Sequence, residues 1–461
     1  MKLKPAAIFF FFISTFANLF CAAQDTLRVM TYNVLHYGDR CQGSNSSLHA
    51  NLKTIVHYEK PDVLGLVKVQ SIKISTTDLA GISQVGFADS ILVNAMNAAN
   101  GNIYDHCPVV NFSGDPDDDM DLLFYNSTKL SFLSVVNLCT TQEDFNLYKL
   151  YYKDPNLSKT KDTTFLYFIL NHTVSGTDET GRDTQDSTIV KNLKRRFSHL
   201  PNLISMGDFN THSSYEAGYQ LLTESPDSSF IFNDPPFSPD HLVNYPATWG
   251  TNSGLFARFL NTSTRESTLP NSCGTMGGAK DWYLHILLSP WVVKNSNYVK
   301  YIPQSYTTVG NDGMRSGVSI NDSSRTKNTS APAGELNALY QFSDKYPIKI
   351  KLLMTPNISG VSPMDPDLPP EQMVMAVKPD DGSLITVSNP VGSKVTFNFP
   401  PTMTGGVAVF QWNDLLGRTI QSGAFTITSR NLSEDVQIVP GFYILRIQVS
   451  DVQYAFRMIK E

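Results

Sequence analysis

The sequence predicts a large mixed α/β domain followed by a small all-β domain. Two observations carry this reading. Residues 25–355 alternate short apolar runs with stretches of helical periodicity, whereas residues beyond about 380 show only short strand-like runs at even spacing and no helix. Between them, residues 356–380 contain Pro363, Pro366, Pro369 and Pro370, a composition suited to a semi-rigid spacer. A chain of 461 residues, 41% hydrophobic and 17% charged, is globular in composition and long enough for both domains.

In chain order, Lys2 and Lys4 precede an apolar stretch (6–20) and then Cys21-Ala-Ala-Gln24. This is the pattern of a signal peptide over residues 1–23, cleaved after Ala23. The stretch is short for a membrane span, Leu19 and Phe20 are too large for a lipobox, and no second run approaches membrane length, so no transmembrane segment is expected. Residues 27–32 read as a strand, 47–58 as a helix with Leu48, Leu52, Ile55 and Val56 on one side, and 62–67 as a buried strand after Pro61. Residues 86–99, 187–200 and 215–222 have helical periodicity; 120–125, 131–138, 164–170 and 203–206 read as further strands. Their mixed order implies both hairpin and crossover connections, hence α/β rather than a purely parallel sheet. Residues 226–280 and 308–334 are rich in Pro, Ser, Thr, Asn and Gly and read as long loops, which on a rigid scaffold often carry specificity. In the tail, 384–388, 394–399, 406–412, 419–427, 433–438 and 442–449 are strand-like, with turns at 414–417 and 440–441, the pattern of a small β-sandwich.

The formal net charge is −6, and about −8 once the signal is removed. Such a chain gains little from phosphate-backbone attraction, which disfavours strong non-specific nucleic-acid binding. Lys191, Lys194, Arg195 and Arg196 read as a solvated helix face. Asp115 and Asp117 to Asp119 lack the Gly and distal Glu of a calcium loop and read as a solvated turn; Asp312 also reads as a turn residue. His36, His49, His57, His106, His199, His212 and His241 have no metal-ligand spacing and read as surface or loop residues. Export would leave Cys41, Cys107, Cys139 and Cys273, which allow two disulfides in any of three pairings or four isolated buried thiols.

The chemistry concentrates at strand tips. The apolar run from Leu203 ends abruptly in Gly207, Asp208 and Asn210; Asn33 ends a second such strand and His172 a third. Carboxylate and amide groups delivered in this way are a common basis for metal-assisted hydrolysis. The segments Thr31-Tyr-Asn-Val34, Pro61-Asp-Val-Leu-Gly-Leu66, Leu170-Asn-His172, Gly207-Asp-Phe-Asn210, Ile286-Leu-Leu-Ser289, and Ser343-Asp344 followed by Tyr346-Pro347, in this order, resemble the endonuclease/exonuclease/phosphatase superfamily, which includes pancreatic deoxyribonuclease, bacterial sphingomyelinases and inositol phosphatases. Val309-Gly-Asn-Asp-Gly313 and Gly277-Gly278 resemble its secreted members from Bacteroidetes-type bacteria. The resemblance implies a deoxyribonuclease-like fold, two facing β-sheets flanked by helices with the site at one end. It also implies magnesium-assisted hydrolysis of a phosphodiester or phosphomonoester substrate. On the matching positions it implies that His172 donates to the scissile phosphate, Asp208 orients or deprotonates the attacking water, Asn210 contacts phosphate, and Asn33 helps to bind the metal.

Three positions depart from the family pattern. Lys68 stands where a metal-binding Glu belongs, Leu284, with His285 beside it, where an Asp belongs, and Lys345 where the His of a Ser-Asp-His motif belongs. Magnesium takes oxygen ligands, which an ammonium cannot supply, and catalytic groups that act as a unit fail together. The expectation is a hydrolase fold with impaired chemistry, a pseudoenzyme. The alternative is a metal-free anion site in which Lys68 and Lys345 join His172, Asn33 and Asn210 around a phosphate, unless the lysines merely neutralise a vestigial acidic cleft. In the tail, Ser388-Asn-Pro390, Asp414-Leu-Leu-Gly417, Pro440-Gly-Phe-Tyr443 and Phe456-Arg-Met-Ile-Lys460 resemble the C-terminal sorting domain of type IX secretion cargo. That implies an immunoglobulin-like sandwich over 381–461, the type IX secretion machinery as partner, and a secreted or cell-surface destination reached through the periplasm.

Overall fold

The strands of the first part of the chain are β1 (Asp25–Tyr37), β2 (Val63–Val69), β3 (Tyr104–His106), β4 (Met120–Asn126), β5 (Leu130–Cys139), β6 (Phe145–Tyr152), β7 (Phe165–His172), β8 (Leu203–Asp208), β9 (Leu284–Leu288), β10 (Val299–Tyr301), β11 (Thr307–Thr308) and β12 (Ile348–Met354). They form a seven-stranded sheet, in the order β10-β12-β1-β2-β4-β3 with β11 also on β12, and a five-stranded sheet, β5-β6-β7-β8-β9. Each has one parallel pair at its heart, β1 with β2 and β7 with β8; the other pairings are antiparallel. The computed structural model describes residues 25–39, 41–70, 84–110, 119–141, 143–160, 163–269, 273–324, 327–355, 385–399, 403–414, 418–449 and 452–461. The expected signal peptide, the Pro-rich spacer and Asp115 to Asp118 lie outside the described residues. No helix among the described residues is long and apolar enough to cross a membrane.

The two sheets pack face to face, β1 against β8 and β9, and β2 against β7 and β8. Alternation along β7 shows how both of its faces are buried. Leu166, Phe168 and Leu170 enter the core between the sheets, while Tyr167 and Ile169 join a second core with Ile189, Val190 and Leu193 of the helix Glu179–Arg196. Strands covered on both faces read as continuous apolar runs, which is why the sequence exposes them. The other sheet is covered by the helices Asn45–Glu59 and Ala333–Phe342, whose Leu52, Ile55, Leu336, Leu339 and Phe342 share its core. Gly65 marks a close approach of the sheets: a Cβ there would lie 2.5 Å from Leu170 Cδ2 and 2.9 Å from Met206 Cε. The architecture is thus a two-sheet α/β sandwich flanked by helices.

The tail is all-β. β13 (Thr386–Val387), β14 (Lys394–Asn398), β15 (Val407–Asn413), β16 (Thr419–Thr426), β17 (Asn431–Asp435), β18 (Gly441–Val449) and β19 (Val452–Lys460) form two antiparallel sheets, β13-β14-β17 and β16-β15-β18-β19. Val395, Phe397, Trp412, Leu445 and Ile447 fill their shared core.

Several elements differ from the sequence reading. The helix expected at 187–200 begins at Glu179, where Asp178 accepts the capping hydrogen bond from Gly181 N at 2.9 Å. Its first turns escaped notice because their buried face is polar: Arg182 clasps Glu216 with two hydrogen bonds of 2.8 and 3.0 Å, and Gln185 Nε2 donates to Thr141 O. β6 and β12 were not recognised; β6 buries Lys149, whose ammonium lies 4.0 Å from the centre of the Phe165 ring. His49, expected at the surface, is buried between Tyr37 Oη and Ser90 Oγ.

Of the cysteine alternatives neither holds fully. Cys41 and Cys273 form a disulfide with Cα atoms 5.6 Å apart, and Cys107 and Cys139 are buried free thiols. The bridge closes a span of 232 residues, and long closed loops gain most from a crosslink, with typical native disulfides contributing about 2–4 kcal/mol. Cys273→Ser is expected to lower denaturant stability by about that much; an unchanged unfolding midpoint would show that the bridge adds nothing to the fold.

Candidate functional site

The parallel pairs β1–β2 and β7–β8 end at the same end of the sandwich, and each end is irregular. β1 and β2 pair regularly up to Asn33 opposite Val67, then shift register, and Leu35 and His36 take positive φ of 47° and 55°. β2 bulges against β4 between Leu66 and Val69, where Lys68 has φ 63°. Bulges re-aim side chains at sheet rims. In the other sheet Gly207 has φ 143°, and a Cβ there would lie 2.0 Å from Asn171 O, so only glycine fits immediately before Asp208. His172 and Asp208 are register partners across β7 and β8.

Asn33, Asp208 and Asn210 meet directly. Asn33 Nδ2 donates to Asp208 Oδ2 at 2.7 Å, and Asn33 Oδ1 accepts from Leu35 N at 3.0 Å. Asp208 Oδ1 accepts from Asn210 N at 3.0 Å, and Asn210 Nδ2 donates to Thr173 O at 2.7 Å. Both oxygens of Asp208 and the amide oxygen of Asn33 are therefore engaged within the protein. Asp208 is 1% exposed and Asn33 2%.

His172 lies in this group's field, next to a cluster of acids. Its Nδ1 is 3.3 Å from Glu143 Oε1. Burial pulls the imidazole pKa down, but the Glu143 carboxylate and then Asp208 outweigh burial and Lys68, so the net shift is upward. Lys68 is also an electrostatic neighbour of Asp39, and its backbone N–H is bonded by the Asp121 carboxyl, which burial first, and Glu143 and Asp119 next, push well above the usual carboxylate range. His36 Nδ1 sits 3.0 Å from Asp119 Oδ1. Asp119 is thus not the solvated turn residue expected, and His36 is not a bare surface histidine. Asp39, Asp121 and Glu143 carry no motif and had no signal in the sequence.

The three departures occupy different surroundings. Leu284 is Asp208's register partner on β9; it is fully buried in the core between the sheets, and its N–H donates to Asn261 Oδ1. His285 points into the fold, hydrogen-bonded to Asp234 at 2.8 Å and stacked on Trp282, so it is a core residue. Lys345 Nζ donates to Asp344 Oδ2 at 2.7 Å, and the same oxygen accepts from Thr275 N and Thr275 Oγ1. Ser343 Oγ donates to Asn33 O at 2.7 Å, which docks this segment on the end of β1. A cavity of about 830 Å³ lined by Arg28, Lys60, Asp62 and Lys129 lies at the opposite end of β1, roughly 20 Å along the strand from Asn33. It is separate from this constellation.

No family model and no curated protein matches the chain. Similar solved structures are endonuclease/exonuclease/phosphatase family proteins and phosphoesterases. One such family protein from Bacteroides thetaiotaomicron is 14% identical, with 73% of this chain and 100% of that one covered at a TM-score of 0.41. A mannosyl-6-phosphatase from the same organism is 16% identical, with 71% and 99% covered at 0.40. The human Nocturnin catalytic domain with bound sulfate is 14% identical, with 72% and 98% covered at 0.40.

The Asp344–Lys345 pair gives a pH signature. Burial alone would raise the Asp344 carboxyl, but Lys345 and the two Thr275 donors overcome it and hold the pKa at about 2 against an ordinary 3.8. A depressed carboxyl favours the folded state above the unfolded pKa and loses that contribution as pH falls. Asp344 is expected to contribute about 2 kcal/mol near neutrality, lost between roughly pH 4 and pH 2. Denaturation curves of Asp344→Asn should lack this acid limb; a limb equal to that of the unmutated chain would refute the assignment.

Proposed function

We propose that this chain is an endonuclease/exonuclease/phosphatase-type protein directed at phosphoesters, whose magnesium-dependent hydrolysis is impaired. The observation that carries the proposal is Lys68. It stands on the bulge at the end of β2, where the resemblance calls for a Glu ligand. The other donors do not compensate, because Asp208 accepts from Asn33 Nδ2 and Asn210 N, and Asn33 Oδ1 accepts from Leu35 N. The residues present therefore do not fit magnesium at that position. What remains is positioning chemistry. His172, whose cationic form Glu143 favours, and Asn210 offer polar groups for a phosphate beside Asp208.

A metal-free anion pocket is the weaker reading. Lys345 is held by Asp344, and the Lys68 ammonium acts on the Asp39 carboxylate, so each lysine already has an acid in its field. We also read the chain as exported, with the tail as a type IX sorting domain; the leader-like N-terminus and the Cys41–Cys273 disulfide support an oxidising destination.

The test is hydrolysis of bis-p-nitrophenyl phosphate and plasmid DNA with Mg²⁺ and with chelator, beside Asp208→Ala. Turnover no higher than that of Asp208→Ala is expected. The combined change Lys68→Glu, Leu284→Asp and Lys345→His should raise it roughly 10²-fold, the scale of a restored acid–base group, with melting curves confirming that the variant folds. Chelator-sensitive turnover by the unmutated chain, lost in Asp208→Ala, would overturn the proposal.

A further inference from the structure

Asp119, Glu143 and His172 come from three separate segments: the residue before β4, the turn between β5 and β6, and the end of β7. One potential ligand atom from each lies within 4.8 Å of the others. A second observation points to a missing partner. His172 is only 7% exposed, and its Nδ1 makes no well-aligned hydrogen bond: Glu143 Oε1, 3.3 Å away, is an ion-pair partner that raises the imidazole pKa. A buried imidazole nitrogen left in this state is uncommon in native proteins.

The local charge argues the same way. Glu143 and Asp208 act on His172 and so does the Lys68 ammonium; Asp119 is paired to His36, and Asp121, which also feels His172, is held toward its neutral acid form. A dication between Asp119, Glu143 and His172 would complete the imidazole nitrogen and offset two carboxylates at once. We propose that these three residues form a divalent transition-metal site. One imidazole with two carboxylates suits Zn²⁺, Mn²⁺ or Co²⁺ better than Mg²⁺, which takes oxygen ligands. Ligand atoms around tetrahedral zinc lie roughly 3.3 Å apart, so the observed spacing would have to shorten by up to about 1.5 Å on binding. The site shares His172 with the proposed phosphoester function but stands without it, because occupancy is read by binding and not by turnover.

The experiment is titration of the chelator-stripped full chain with Zn²⁺, Mn²⁺ and Mg²⁺ by calorimetry, and with Co²⁺ by visible absorption. One equivalent of Zn²⁺ or Co²⁺ is expected to bind, with Mg²⁺ at least about tenfold weaker. Glu143→Gln and Asp119→Asn should each weaken binding roughly 10-fold or more and lose the Co²⁺ spectrum, while the surface variant His241→Gln should not. Lys68→Gln, which removes the competing ammonium, should tighten binding, and it keeps the proposal testable should either carboxylate variant fail to fold. Absence of a saturable equivalent, an affinity indifferent to Glu143→Gln and Asp119→Asn, or no gain from Lys68→Gln would each overturn the site. A negative result leaves the magnesium hydrolysis test unaffected, since that test reads turnover and not metal occupancy.

Discussion

Two sheets can meet closely only where small side chains let them, and here the contact is set at Gly65 on β2, against Leu170 and Met206 of the facing sheet. That contact places β1 and β2 over β7, β8 and β9 and makes all five strands interior on both faces. Interior strands can shed their polar groups only at their ends. The irregularities at Asn33, Lys68 and Gly207 are the consequence, since each turns the chain out of its ladder at the same end of the sandwich. The Asn33–Asp208 hydrogen bond then ties one sheet to the other at that end.

Much of this was legible because interior strands write themselves as apolar runs. The segments at Leu203, Val63 and Phe165 announced both their strands and the polar residues at their tips, and Asn33, His172, Asp208 and Asn210 do gather there. The helix at Glu179 was half hidden because its buried face is polar and satisfied by Glu216 and Thr141, which periodicity of apolar residues cannot register. Glu143 and Asp39 were invisible for a different reason. They lie in turns, and only the three-dimensional path of β5, β6 and β7 brings Glu143 to His172. Asp119 was seen but misread, since an acidic run looks solvated until β4 draws its last member under His36.

Charge is unevenly matched at this end. Lys345 and Asp344 form a buried pair to which Thr275 also donates, and Leu284 is an apolar residue of the core between the sheets. The three hydrogen bonds of the pair converge on Asp344 Oδ2, and removing either member would strand the other. The acids near Lys68 are less completely matched, so the electrostatic strain of this end of the fold sits beside His172 rather than beside Asp344.

The disulfide has a bearing on recognition. Cys273 is followed by Gly274, where a Cβ would meet Leu35 and Asp344, and by Thr275, which bonds Asp344; Cys41 follows the kinked end of β1. The covalent link thus fixes two rim segments to each other directly above the strand ends. A rim held in this way has little backbone freedom left to lose, so its shape is set in advance by the fold.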